Sequence, residues 1–140
     1  MEIEVKKLDP KAQLPVYFYE GDAGMNLFAL EDIVIPTLQR VSVRTGIAMA
    51  IPTGYVGLIL DRSSVAAKYG IHHFAGVIDS GYRGEILVVL YNSTTEDYKI
   101  AAGDKIAQML IQPVASPELL EVKELVDSER AQGGFGSTGK

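Results

Sequence analysis

Residues 76–92 read GVIDSGYRGEILVVLYN, and this stretch decides the fold class. Its second half, Glu85–Tyr91, has strand length and holds an unbroken apolar run from Ile86 to Leu90. A strand apolar on both sides needs cover on both faces. The run is therefore either a simple central strand or a strand that another subunit covers. The glycines of the first half mark turns. Outward from this stretch the same rhythm recurs. Ile33–Ile35, Val56–Leu60 and Ile106–Ile111 are β-branched or apolar runs of strand length. Glu2–Lys6 and Val41–Arg44 alternate polar with apolar, the mark of a half-buried strand. Pro36, Pro52-Thr53-Gly54, Asn92-Ser93 and Gly103-Asp104 separate them. Many short strands with frequent turns predict an all-β sandwich, jelly roll or barrel.

One helix is expected over Ser63–Tyr69, opened by a serine N-cap and stopped at Gly70. At about two turns it cannot stand alone and must pack on the sheet. The last stretch, Asp127–Lys140, reads DSERAQGGFGSTGK and has Phe135 as its one large apolar residue. Such a segment buries too little surface to offset its ordering entropy, so a flexible tail is expected. No repeat or linker divides the rest. The expected organisation is a β domain over residues 1–126 and a tail over 127–140.

Composition narrows the function. The 140 residues suit one domain, and 47% hydrophobic with 22% charged is ordinary for a soluble globular protein. The absence of cysteine excludes disulfides, thiolate metal sites and a cysteine nucleophile. The histidines, His72 and His73, are adjacent, which argues against a histidine-based metal cage. A net charge of −5 argues against non-specific nucleic-acid binding. No apolar run approaches the roughly 20 residues of a membrane span. The opening MEIEVKKLDP is no signal peptide, so a cytoplasmic protein with no membrane partner is expected.

Polar, glycine-containing segments between the strands carry the chemistry. Arg62-Ser63-Ser64 leads into the helix, where free N–H groups, hydroxyls and a guanidinium together suit an anion. The tail repeats that chemistry with Arg130, Ser137 and Thr138, and Phe135 offers a ring on which a base can stack. Phosphate donors beside a base platform suggest a nucleotide. GFGSTGK at 134–140 matches the pattern GxxxxGK, but a P-loop needs a strand before it and a helix after it, and the chain ends at the lysine. Asp79 is either a turn-capping residue or a general base, and Tyr82 either core or pocket wall.

Taken together, Asp22–Leu27, Arg62–Ala66, Gly76–Gly84, Gly103–Gln108 and Arg130–Gly139 resemble, in order and spacing, the five motifs of the trimeric dUTP pyrophosphatase (dUTPase) family. GVIDSGYRGEI and GGFGSTG are the most specific, and the similarity runs from about Ile3 to Gly139. The resemblance implies a distorted jelly roll, or β-clip, of short antiparallel strands. It implies a homotrimer with three active sites, each built from motifs of all three subunits. The implied reaction is Mg²⁺-dependent hydrolysis of dUTP to dUMP and pyrophosphate, which lowers dUTP and supplies dUMP for dTMP synthesis.

The resemblance also assigns roles. Asp79 orients and deprotonates the water that attacks the α-phosphorus. Tyr82 packs under the deoxyribose and leaves no room for a 2′-hydroxyl. A hairpin around Phe74–Tyr82, including Gly76 and Ile78, reads uracil through backbone N–H and C=O groups. Cytosine would leave those groups unpaired. Ser63, Ser64 and Gln108 contact the phosphate chain, with Arg62 and Arg130 near the triphosphate. Phe135, Gly136, Ser137 and Thr138 belong to the tail that closes over the nucleotide and excludes water. Mg²⁺ is held by phosphate oxygens and waters rather than by direct protein ligands.

Some positions depart from the family pattern. Asn26 stands where aspartate is usual, leaving it at most a role through water near the metal. Asp61 stands where proline or glycine is common and is expected to pair with Arg62. Gly81 replaces a frequent aspartate. Arg83 is read as a salt-bridge residue, His72 and His73 as a surface pair on a hairpin, and Gly24 as a turn. The rival enzyme reading is a dCTP deaminase, alone or bifunctional. It needs a proton-shuttling glutamate where this chain has Leu87-Val88-Val89. A non-catalytic nucleotide-binding regulator on the same scaffold is the rival from another class.

Overall fold

Residues 1–133 are described in the computed structural model of the chain. Their strands are β1 (Glu4–Lys7), β2 (Met25–Phe28), β3 (Ile33–Ile35), β4 (Arg40–Arg44), β5 (Ile47–Ala50) and β6 (Tyr55–Leu60), then β7 (Ile71–Phe74), β8 (Val77–Ile78), β9 (Leu87–Asn92), β10 (Tyr98–Ile100) and β11 (Lys105–Pro113). The helix α1 spans Ser63–Tyr69. The strands pair antiparallel in sheets of order β2-β11-β6-β8 and β4-β9-β7, with the pairs β1-β5 and β10-β3 beside them. The fold is the all-β jelly-roll arrangement with one short helix. None of the described helices is long and apolar enough to cross a membrane.

The central run splits by face. Ile86, Val88 and Leu90 are at most 1% exposed, whereas Leu87 is 42% exposed. One face thus joins a core with Leu27, Ile35, Val43, Ile47, Ile71 and Met109. Fully burying a side chain of this size stabilises by about 1.5–3 kcal/mol. The other face stays partly open in the single chain. The strand continues to Asn92, which is fully buried although the sequence reads it as a turn residue. Its amide donates to the Ile35 and Glu96 carbonyls and accepts from the Thr94 N–H and hydroxyl. Every polar atom of that side chain is therefore engaged, which is the condition for burying it.

Two expectations change. The helix has the expected bounds, but Arg62 rather than a serine is its N-cap, in extended backbone and with no side-chain cap. The first turn closes when the N–H groups of Val65 and Ala66 donate to the Arg62 carbonyl. The hydroxyls of Ser63 and Ser64 thus have no capping duty. Gly70 ends the helix in the left-handed region, as expected. Secondly, Phe74–Tyr82 is not a hairpin. β7 pairs with β9 and β8 with β6, so the chain changes sheets at Ala75 and Gly76, both at positive φ (63° and 124°). A Cβ at Gly76 would stand 2.8 Å from the Ile59 carbonyl oxygen, so glycine fits this crossing.

Residues 114–132 carry no strand or helix and are exposed. Leu119, Leu120, Leu125 and Val126 are each at least 85% exposed, although nothing in their chemistry favours water.

Candidate active site

Asp79 stands on a tight turn. The Tyr82 N–H donates to the Asp79 carbonyl at 3.0 Å, which turns the chain and leaves the carboxylate exposed. Arg83 stiffens the turn by donating to the carbonyls of Ser80 (2.6 Å) and Tyr82 (2.8 Å). Arg83 makes no salt bridge among the described residues, against expectation; its Nη1 is directed to these carbonyls instead. The Tyr82 hydroxyl donates to the Glu85 carbonyl at 2.9 Å. Its ring lies across Gly84, where a Cβ would stand 2.6 Å from Tyr82 Cζ. Asp79, Ile78 and Tyr82 line a small cleft of about 170 Å³ with Val77, Glu85 and Leu87.

A second cleft, of about 640 Å³, gathers Arg62, Ser63, Ser64 and Gln108 with Gly24, Asn26, Asp22, Lys105 and the exposed rings of Phe18 and Tyr19. β11 carries Gln108 between Leu60 of β6 and Asn26 of β2. The Gln108 amide donates to the Asp61 carbonyl at 2.8 Å. A Cβ at Gly24 would stand 2.7 Å from Gln108 Oε1, so this glycine allows a close approach rather than only a turn. Arg62 Nη1 donates to the Lys105 carbonyl at 3.1 Å, leaving its other N–H groups available to the cleft. Lys105 Nζ lies 4.4 Å from the centroid of the Phe18 ring. One oxygen of the Asp22 carboxylate, Oδ2, accepts the N–H groups of Phe18 and Tyr19. Asn26 is buried, and its amide reaches the Val16 carbonyl at 3.4 Å.

Asp61 does not pair with Arg62. Its Oδ1 accepts the His73 backbone N–H at 2.7 Å and lies 2.8 Å from His73 Nδ1, while Oδ2 lies 3.3 Å from His72 Nδ1. Burial pushes the Asp61 carboxyl up, but its hydrogen bonds with His73 and His72 outweigh this and hold it below the usual carboxylate range. The histidines are correspondingly a pair on an edge strand, not on a hairpin. Sequence reading missed this contact because it joins positions eleven or twelve apart through a change of sheet. It also missed Phe18 and Lys105 at the rim of the larger cleft. The apolar run Val16–Tyr19 was the signal for the first.

The two clefts share no lining residue. One chain brings Arg62, Ser63, Ser64 and Gln108 together and brings Ile78, Asp79 and Tyr82 together, but it does not join the groups. Gly76 lies at the sheet crossing, with its carbonyl accepting from Ile59 N–H, and lines neither cleft. Arg130 donates from Nε to the Gly133 carbonyl at 2.9 Å and also lines neither. Phe135, Gly136, Ser137 and Thr138 lie outside the described residues.

The dUTPase family model matches residues 10–139. The deoxyuridine 5′-triphosphate nucleotidohydrolase of Paramecium bursaria Chlorella virus 1 is 48% identical over 135 residues, covering 96% of each chain. That of Nautilia profundicola is 44% identical and is covered, like this chain, over its full length. Among solved structures, a variant dUTPase of Staphylococcus bacteriophage 80alpha with dUpNHpp has a TM-score of 0.95 at 30% identity, covering 99% of both chains. A variant of the dUTPase from phage phi11 of S. aureus, described as revealing the coordination of a structural Mg(II) ion, has a TM-score of 0.86 at 29% identity, over 91% of this chain and all of that one.

Proposed function

This chain belongs to the dUTPase family, and from that membership we infer that it is a dUTP diphosphatase, hydrolysing dUTP to dUMP and pyrophosphate. The observation that carries the reading to particular residues is the cleft in which an exposed carboxylate, Asp79, stands beside the anchored ring of Tyr82.

Asp79 accepts the proton of the attacking water as it adds to the α-phosphorus, and pyrophosphate leaves. A base on an outward turn can reach such a water by a hydrogen bond. Tyr82 acts by shape. With its hydroxyl tied to Glu85 and its ring across Gly84, it cannot swing aside for a 2′-hydroxyl. Ile78 and its neighbours read uracil. β8 ends its sheet, so one edge of its backbone is unpaired by any other described strand and can offer N–H and C=O groups to the pyrimidine. The larger cleft takes the phosphates, with the Ser63 and Ser64 hydroxyls, the Gln108 amide and the Arg62 guanidinium as donors.

Magnesium suits this cleft only through the substrate. Its one carboxylate, Asp22, has Oδ2 engaged with backbone N–H groups, and Asn26 offers only an amide, so Mg²⁺ would be held chiefly by phosphate oxygens and waters. When bound, the ion offsets charge on the triphosphate. The separation of the clefts suits an assembly of copies, the family's homotrimer, in which the Asp79 cleft of one copy meets the Arg62 cleft of another. The domain over 1–126 then carries both clefts. Arg130 and the tail over 127–140, with Phe135, Gly136, Ser137 and Thr138, close over the nucleotide. The reaction belongs to the cytoplasm.

The test is pyrophosphate release from dUTP with Mg²⁺, beside dCTP, dTTP and UTP, with ammonia assayed in parallel. Release from dUTP alone is expected. Ammonia from dCTP would replace this reading with the deaminase, for which Leu87-Val88-Val89 supplies no proton-carrying group. Tight binding of dUTP without release would make the chain a nucleotide-binding regulator.

A further inference from the structure

We propose that Asp61, His72 and His73 form a binding site for a divalent transition-metal ion of the Zn²⁺ class, separate from the magnesium of the reaction. One ligand atom from each of the three side chains lies within 4.8 Å of the other two. Successive side chains of a strand normally leave opposite faces. Here the adjacent histidines of β7 both turn Nδ1 to one carboxylate, His73 at 2.8 Å from Oδ1 and His72 at 3.3 Å from Oδ2. Tetrahedral zinc with bonds of about 2.0–2.2 Å places its ligand atoms roughly 3.3–3.5 Å apart. Each nitrogen thus stands near that spacing from one oxygen of Asp61, and side-chain rotations would bring both onto a shared ion.

The chemistry of the set agrees. Two imidazole nitrogens and one carboxylate make a zinc-type donor set with a position left for water. Magnesium prefers oxygen ligands and is disfavoured by the imidazoles. The supports are in place. The His73 N–H donates to Asp61 Oδ1 at 2.7 Å and orients the carboxylate, and the Gln108 amide anchors the Asp61 carbonyl. The side chains of Asp61, His73 and His72 are 28%, 20% and 50% exposed, so an ion can enter and keep a water. A neutral ring that donates Nδ1–H to Asp61 carries that proton on Nε2 once Nδ1 binds the ion, so no proton need leave the protein. Asp61 directly precedes Arg62, and the loaded site would fix the backbone that leads into the larger cleft.

The full 140-residue chain, stripped of metal by a chelator and moved to a non-coordinating buffer, should be titrated with Zn²⁺ by calorimetry and with Co²⁺ by visible absorption. The expected result is one saturable ion per chain. Zn²⁺ should raise Tm and shift the ring resonances of both histidines. His72→Ala, at a half-exposed position, should weaken binding by about tenfold or more. His73→Gln should do the same, with metal-free Tm checked for both variants. The chain has no other histidine and no cysteine, so the imidazole signals report on this pair alone. No saturable binding, unmoved histidine resonances on binding, or unchanged affinity in a protein carrying both His72→Ala and His73→Gln would overturn the proposal. None of these readouts involves dUTP, so failure here leaves the hydrolase reading untouched, and failure of that reading leaves this one testable.

Discussion

Asp79 is exposed, and its own backbone carbonyl closes the turn that presents it. Asp79→Asn keeps that backbone contact and removes the proposed proton acceptor. Turnover should fall by about 10²–10⁴-fold while nucleotide binding persists. Pyrophosphate release beside calorimetric titration of a non-hydrolysable dUTP analogue checks this, and near-normal turnover would remove Asp79 as base. Tyr82 depends on its neighbour in another way. In Gly84→Ala the new Cβ would meet the ring, which must leave its place. The expected effect is a raised KM for dUTP and a narrower gap in kcat/KM between dUTP and UTP. A gap unchanged from the parent enzyme would mean that the ring is not the barrier to the 2′-hydroxyl. At this scale the cleft-lining residues were legible in the sequence: Asp79 and Tyr82 line one cleft, and Arg62, Ser63, Ser64 and Gln108 line another. The partner of Asp61 was not. Its neighbour in sequence is Arg62, whereas its neighbours in space arrive on β7.

Among the elements, the link between β7 and β8 carries the chain from one sheet to another just before Asp79. Gly76→Ala there combines a strained φ with a Cβ close to the Ile59 carbonyl. It should destabilise by about 2–4 kcal/mol. Chemical denaturation measures this, and a loss under 1 kcal/mol would show that the crossing relaxes freely. The link between β10 and α1 gives a pH prediction. Burial, with smaller contributions from Tyr69 and Asp104, pushes the Tyr98 phenol above its ordinary value of 10.0. The folded state then holds a proton that the unfolded chain releases. Stability from this group is present below pH 10.0 and lost as pH rises through the folded value. Tyr98→Phe should flatten that alkaline loss in urea titrations, and a slope equal to the parent's would count against it. Strands were legible wherever the period of two or an apolar run declared them, as in β3, β4, β6, β9 and β11. β2 and β5 were missed because burial on both faces leaves no alternation, and Asn26 in one and Ala48 and Ala50 in the other keep them from standing out as β-branched runs. β7 was missed because its two histidines read as surface.

For the whole molecule, the separation of the two clefts makes a prediction that no single-chain enzyme shares. Arg62→Ala and Asp79→Asn proteins should each be nearly inactive alone. Mixed, unfolded and refolded together, they should regain part of the parent's activity, because some sites then draw both intact clefts from different copies. Activity that never exceeds the sum of the separate proteins would place both clefts of a working site on one chain. The segment before the tail bears on the same question in the cell. Leu119, Leu120, Leu125 and Val126 face solvent in the single chain. In the proposed homotrimer, a newly synthesised copy that has folded but found no partner presents the kind of surface that chaperones retain and proteases select. Its lifetime, and so the level of the protein, would be governed by the supply of sister chains as much as by the stability of the fold.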